Sequence, residues 1–216
     1  MINLIKKQSK TKNNHIDITS EWIKNKRPNS HKVIDRNYFK DDYGNIYRVD
    51  NKNVVLDYSD KEKEIAIWLE NTFGGRIYML PRVNSPIGIQ TSDYLFRNEK
   101  WDLKEINGKS NQVLYHSIYN KSKQSKNFIL DITNSELSFE IAKKQIKKIY
   151  KRTDLPFIDK IILKKNNNFF VYKRKWMWPH CKVSTTTFIT YSIHNLLNYV
   201  NHFYLFIKIN YINLMH

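Results

Sequence analysis

The sequence predicts an α/β sandwich in which a central mixed β-sheet is flanked by helices. Three observations carry this. Short β-prone runs bounded by turn residues alternate with amphipathic helical patterns. At 216 residues the chain has the length of one ordinary domain with residues to spare at its ends. Its composition, 41% hydrophobic and 14% aromatic, is that of a chain that buries a core rather than one that stays disordered.

Residues 1–40 are rich in Lys and Asn and are expected to form a basic N-terminal extension, helical around Ile16–Lys26. Ile46–Val49 and Val54–Leu56 are β-prone and bounded by the turns Asp42–Asn45 and Asp50–Asn53. Ser59 then stands three residues before Glu62, the spacing of a capping box. Ile65, Trp68, Leu69, Thr72 and Phe73 recur at helical spacing behind it, and Gly74-Gly75 stops the helix.

Strands follow at Arg76–Leu80, Asp93–Phe96 and Lys100–Ile106, with a loop through Pro81, Pro86 and Gly88 and a tight turn at Arg97-Asn98-Glu99. A helix over residues 110–126 would place Lys121, Lys123 and Lys126 on one basic face. Phe128–Ile132 reads as a buried strand. A helix opened by Ser135 carries Leu137, Ile141, Ala142, Ile146 and Ile149, and two late strands fit Ile158–Lys164 and Phe169–Lys173.

The composition changes after Lys175. Asp159 is the last acidic residue, and Lys182 and Lys208 are the only charged side chains from Trp176 onward. Residues 176–216 therefore read as an atypical tail outside the fold. Its apolar stretch, Tyr191–Leu214, is broken by too many Asn, His and Lys residues for a transmembrane span. Residues Met1–Asn14 lack the continuous apolar core of a signal peptide. These segments leave residues 41–175 as the expected domain.

The charge balance points to a partner class. Lys plus Arg number 37 against 20 Asp plus Glu, for a net charge of +17. That favours a polyanion, nucleic acid first and an anionic membrane surface second. Cys181 is the single cysteine, which excludes an intrachain disulfide and a cysteine-based zinc finger. The seven histidines are scattered without metal-ligand spacing.

The chemistry concentrates in Thr91–Phe96 and Lys100–Lys104. Side chains alternate along a strand, so Asp102 and Lys104 share one face while Trp101 and Leu103 take the other. A hairpin through Arg97–Glu99 brings Asp93 beside Asp102. Two carboxylates and one ammonium at one edge are what metal-assisted phosphodiester hydrolysis requires: two hard oxygen donors for Mg²⁺ or a similar ion and a lysine beside the phosphate. Glu62 is a candidate third carboxylate at the same edge, although the capping box alone already accounts for it. Gln124 suits either substrate contact or the end of a helix. Asp131 suits the cap of the Thr133–Ser135 turn.

The stretch from Val54 to Lys173 resembles the PD-(D/E)xK nuclease superfamily. More narrowly, it resembles the C-terminal tRNA-nuclease toxin module of contact-dependent growth inhibition proteins, also found on phages and mobile elements. The residues that carry this are Glu62–Ala66, Thr91–Phe96, Trp101–Lys104 and Gln124–Asp131. One departure is Ser92, where the family motif has Pro before its first Asp.

The resemblance implies a restriction-endonuclease-like fold and a metal-dependent RNase. It maps the acids onto Asp93 and Asp102, the lysine onto Lys104 and the helix carboxylate onto Glu62. It also implies an acidic immunity protein as partner, a bacterial or mobile-element origin and action in the cytoplasm. Magnesium is the expected ion, with Mn²⁺ or Zn²⁺ as alternatives, and Lys121, Lys123 and Lys126 are the expected phosphate contacts. Two other readings stay open on the residues: a DNA endonuclease of the same fold, and a non-catalytic nucleic-acid-binding or phage structural protein.

Overall fold

The computed structural model describes residues 14–121 and 124–175, all within one compact unit, Met1–Lys175. In chain order the first elements are β1 (His15–Asp17), α1 (Thr19–Lys24), β2 (Asn29–Asp35), β3 (Tyr38–Lys40), β4 (Ile46–Arg48) and β5 (Val54–Val55). Next come α2 (Asp60–Phe73), β6 (Gly75–Met79), β7 (Arg82–Val83), β8 (Tyr94–Phe96) and β9 (Glu99–Glu105). The last are α3 (Val113–Ile118), β10 (Asn127–Asp131), α4 (Phe139–Lys151), β11 (Lys160–Lys165) and β12 (Asn168–Arg174). No helix among the described residues is long and apolar enough to cross a membrane.

The central sheet runs β1-β12-β11-β10-β9-β8-β6-β2. It is mixed: β10 is parallel to both β9 and β11, β2 is parallel to β6, and the other pairs are antiparallel. Helices cover both faces. On one, Trp22 of α1 and Ile65, Ala66, Leu69 and Phe73 of α2 pack on Ile77, Tyr94, Trp101, Leu103 and Ile129. On the other, Leu114 and Ile118 of α3 and Ala142, Ile146 and Ile149 of α4 pack on Phe128, Leu130, Ile161 and Leu163. Neighbouring residues of one strand enter different layers, as the two-residue period of a strand requires.

Local chemistry sets the main boundaries. Ser59 Oγ accepts the Glu62 N–H at 3.1 Å and Glu62 Oε2 accepts the Ser59 N–H at 2.7 Å, completing the capping box of α2. Gly74 ends that helix with φ +68°, and a Cβ there would lie 1.8 Å from the Arg27 carbonyl oxygen. Only glycine fits so close a backbone crossing. Arg97 and Asn98, both at positive φ, make the two-residue turn between β8 and β9.

Four elements differ from expectation. Residues 14–40, expected as an extension, supply both edge strands of the sheet and one helix over its core. Trp22 is 6% exposed, and its ring stands edge-on to Phe73 and Trp101. α3 ends at Ile118 because Tyr119 turns extended and Asn120 takes φ +61°, so the expected helix over 110–126 does not form. α4 is opened by Ser138, whose Oγ accepts the Ile141 N–H, whereas Ser135 donates to the Gly108 carbonyl at 2.6 Å. Part of the expected loop after Pro81 is β7, paired with β5. The expected tail over 176–216 lies outside the described residues.

Candidate active site

The β8–β9 hairpin builds the site. The Asp93 N–H donates to the Trp101 carbonyl, which sets Asp93 opposite Asp102 on the neighbouring strand. Asp102 and Lys104 face the layer of Phe128 and Leu130, their register partners on β10, while Trp101 and Leu103 face α2. The alternation expected from the sequence holds. Asp93, Asp102, Lys104 and Glu62 all line one cleft of about 470 Å³, together with Arg82 and Gln124.

Asp102 is buried and Asp93 half-buried in the cleft. Asp102 is 1% exposed, and its Oδ2 has no hydrogen-bond partner of good geometry among the described residues. That oxygen meets Lys104 Nζ as an ion pair at 2.5 Å. Asp93 Oδ2 accepts the Leu103 N–H at 2.6 Å. Burial, and next the Asp102 charge beside it, push the Asp93 carboxyl up to about 8. Burial raises Asp102 as well, against the pull of Lys104 and Lys121. Two adjoining carboxylates repel, which favours a proton on the pair.

This has a measurable sign. With the folded value of Asp93 near 8 and the unfolded value near 3.8, the folded state binds more protons in between. Stability in EDTA is therefore expected to fall as pH rises from about 4 to about 8, and Asp93→Asn is expected to flatten that slope. Urea unfolding across this range measures it, and a wild-type slope that the variant leaves intact would assign the effect elsewhere.

Glu62 reaches the cleft with both oxygens engaged. Oε2 accepts from the Ser59 backbone, and Oε1 pairs with Arg82 Nη2 at 2.8 Å. Among the described residues no group of three or more His, Cys, Asp or Glu side chains is arranged to hold a metal ion. Arg82 escaped sequence reasoning because a single arginine after Pro81 carries no pattern. Its link to Glu62 joins β7 to α2, twenty residues apart.

The expected basic face is divided. Lys121 lies close enough to act on the Asp102 charge, while Lys126 lines a neighbouring pocket and Lys123 falls outside the described residues. The missing length of α3 is the reason, since the helix ends at Ile118, before Lys121 and Lys126. Gln124 does not end that helix; it is one of the residues lining the cleft. Asp131 binds Thr133 through Oδ1, as the turn cap requires. Its Oδ2 also faces Lys61 at 3.0 Å and Lys164 at 3.6 Å, tying α2 to the sheet.

The fold and cleft thus define a mixed α/β protein with an adjoining Asp–Asp pair and a lysine at the central strands β8 and β9 of its sheet. A model of the contact-dependent growth inhibition CdiA C-terminal domain matches residues 90–169. That span contains Asp93, Asp102 and Lys104 and leaves out Glu62. Among solved structures, the chain is similar to the CdiA-CT/CdiI toxin and immunity complex from Burkholderia pseudomallei. The TM-score is 0.43 at 22% identity, covering 55% of this chain and 92% of that one. No curated protein matches the chain.

Proposed function

We propose that this chain is a toxin of the contact-dependent growth inhibition type, a metal-dependent endonuclease of PD-(D/E)xK fold that hydrolyses RNA, with tRNA as its substrate. The observation that carries the reading is the Asp93–Asp102 pair, with Lys104 on Asp102, in one cleft. The family match over residues 90–169 supports it, because that span includes all three residues. The net charge of +17 supports a polyanionic substrate and an acidic immunity protein as partner. The site of action would be the cytoplasm of a bacterial cell.

The donor set fits a divalent cation. Two adjoining carboxylates, Asp102 buried and Asp93 half-buried in the cleft, are hard donors whose repulsion a cation relieves. Magnesium is commonly held by one or two carboxylates, with substrate phosphate and water completing its shell, so a third protein ligand is not required. Bound by Asp93 and Asp102, Mg²⁺, or Mn²⁺ or Zn²⁺ in its place, would supply Lewis-acid polarisation of the scissile phosphate and the attacking water.

The chain's own groups do the rest. Lys104 stands beside the reacting phosphate and offsets the charge that builds on its oxygens. Lys121 adds positive potential beside Asp102. Arg82, aimed by Glu62, binds a phosphate oxygen of the substrate strand.

Incubating the full chain with total tRNA and with plasmid DNA, each with Mg²⁺, Mn²⁺ or EDTA, tests the reading. Cleavage of tRNA that EDTA abolishes is the expected result; cutting of DNA alone, or of neither substrate, would overturn it. Glu62→Gln separates aiming from ligation. Glutamine preserves the capping box, so the melting temperature should hold. The weaker hold on Arg82 should raise KM severalfold with little change in kcat. A collapse of kcat would place Glu62 directly on the reacting centre.

A further inference from the structure

Helix α4 turns one stripe to the core and the other to solvent. Ala142, Ile146 and Ile149 enter the core, while Lys144, Lys147, Lys148 and Lys151 stand exposed on the opposite side. Their spacing of three, four and seven residues sets them on one helical face, about 10 Å long.

The charge on this face is not neutralised. Among the described residues no carboxylate comes within ion-pair distance of the four lysines. The acids at the two ends of the helix pair with other cations, Glu140 with Lys143 at 3.7 Å and Asp154 with Arg152 at 2.8 Å. Every Asp and Glu of the chain falls within the described residues, so no acidic side chain is left elsewhere to cover the face. Like charges three and four residues apart repel on a helix. The helix C-terminus favours Lys148 and Lys151, which stand in its last turn, but not Lys144 and Lys147. The same charge reaches the sheet edge, where Lys147, Lys175 and Lys151 all bear on His15 of β1, with Asp17 opposing them.

The register relates this face to the cleft. Asp102, Phe128, Ile161, Tyr172 and Asp17 are partners in one row across five strands. Phe128, Ile161 and Tyr172 lie in the layer that α4 covers. Asp102 therefore shares a side of the sheet with α4, and the row ends at β1 about 19 Å away, four strand spacings of about 4.8 Å.

What the face lacks selects its partner. A protein interface carries apolar or aromatic anchors at its centre and few lysines there. A helix bound to a membrane surface turns an apolar side outward. The apolar side of α4 is in the core, and Ile141 is its exposed large apolar residue. A phosphate backbone asks for charge alone. One strand of a duplex presents a phosphate about every 3.4 Å, so the face spans about three of them.

We infer that the exposed face of α4, carrying Lys144, Lys147, Lys148 and Lys151, docks the phosphate backbone of RNA at a distance from the reacting carboxylates. The inference rests on the nuclease reading above and deepens it. It makes the enzyme favour a folded RNA large enough to cover cleft and helix together, since a few nucleotides in the cleft do not reach α4.

Binding in EDTA tests the surface apart from cleavage. The full chain is titrated with total tRNA at several salt concentrations, beside a variant combining Lys144→Gln, Lys147→Gln and Lys151→Gln. A control combining Lys24→Gln, Lys32→Gln and Lys52→Gln removes equal charge from exposed positions elsewhere. Glutamine matches lysine in helix propensity, so the α4 variant should melt no lower than the wild type. It is expected to bind tRNA about 10- to 100-fold more weakly at low salt, with a salt slope smaller by about 2 to 3. The control should keep most of the affinity, and a three-nucleotide RNA should bind wild type and variant alike. Lys144→Glu, which can pair with Lys148, should weaken tRNA binding severalfold and serves if the triple variant misfolds. Unchanged tRNA binding by a folded variant, an equal loss in the control, or an equal loss for the three-nucleotide RNA overturns the inference. Vesicles of phosphatidylglycerol and phosphatidylcholine are titrated in parallel; loss of vesicle binding with tRNA binding intact would assign the face to a membrane and overturn it too. The same proteins are assayed on tRNA with Mg²⁺. Cutting whose KM ignores the α4 lysines overturns the surface alone, and tRNA binding that depends on them without any cutting upholds the surface and overturns the nuclease reading.

Discussion

Asp102→Ala is expected to abolish EDTA-sensitive cleavage of tRNA while leaving the protein folded. In the proposed reading Asp102 is one of the two carboxylates that would hold the cation, and it pairs with Lys104. Losing it removes several kcal/mol of transition-state stabilisation, and each ~1.4 kcal/mol is tenfold, so the rate should fall about a thousandfold or more. Stability should move the other way. The side chain is buried against Asp93, whose carboxyl is raised in part by the Asp102 charge. Removing that charge relieves a repulsion, so at pH 8 in EDTA the melting temperature should equal or exceed that of the wild type. Loss of activity with gain of stability is the signature of a site strained for function. Initial rates on tRNA together with thermal melts check both halves, and a variant that still cuts would remove Asp102 from the chemistry.

Trp22→Ala is expected to do the reverse, costing stability and sparing the chemistry. Trp22 fills the core beneath α2, edge-on to Phe73 and Trp101, with the Arg97 guanidinium 4.4 Å from its ring centre. Truncating a buried tryptophan costs about 3–5 kcal/mol, which for a domain of this size lowers the melting temperature by roughly 6–20 °C. The layer it occupies lies across the sheet from Asp102 and Lys104, so cleavage well below the transition should stay within a few-fold of wild type. A small shift in melting would mean that residues 14–40 contribute little to the core, as the sequence alone suggested.

That contrast marks how much was legible in advance. The Ser59–Glu62 box, the Gly74 stop and the Arg97-Asn98 turn were readable because each is settled by atoms a few residues apart. The shared face of Asp102 and Lys104 was readable for the same reason, since alternation along a strand needs no tertiary information. The Asp93–Asp102 pairing followed from a two-residue turn. By contrast, the Lys-Asn-rich composition of residues 14–40 hid their place in the sheet. Strand β1 pairs with β12, so Asp17 meets Tyr172, and no local pattern announces a partner that far along the chain. The long helix expected over 110–126 failed at Asn120, where one residue in the left-handed region outweighed a favourable run of side chains.

The sequence by itself determined the layer architecture and the hairpin that brings Asp93, Asp102 and Lys104 together, because hydrophobic period and turn chemistry are local quantities. The tertiary structure alone decided the rest. It set how deeply Asp93 and Asp102 are buried and hence how high their carboxyls titrate. It turned Glu62 toward Arg82. Those properties depend on desolvation and charge summed over segments far apart in the chain, and that sum exists only once the sheet has closed around them.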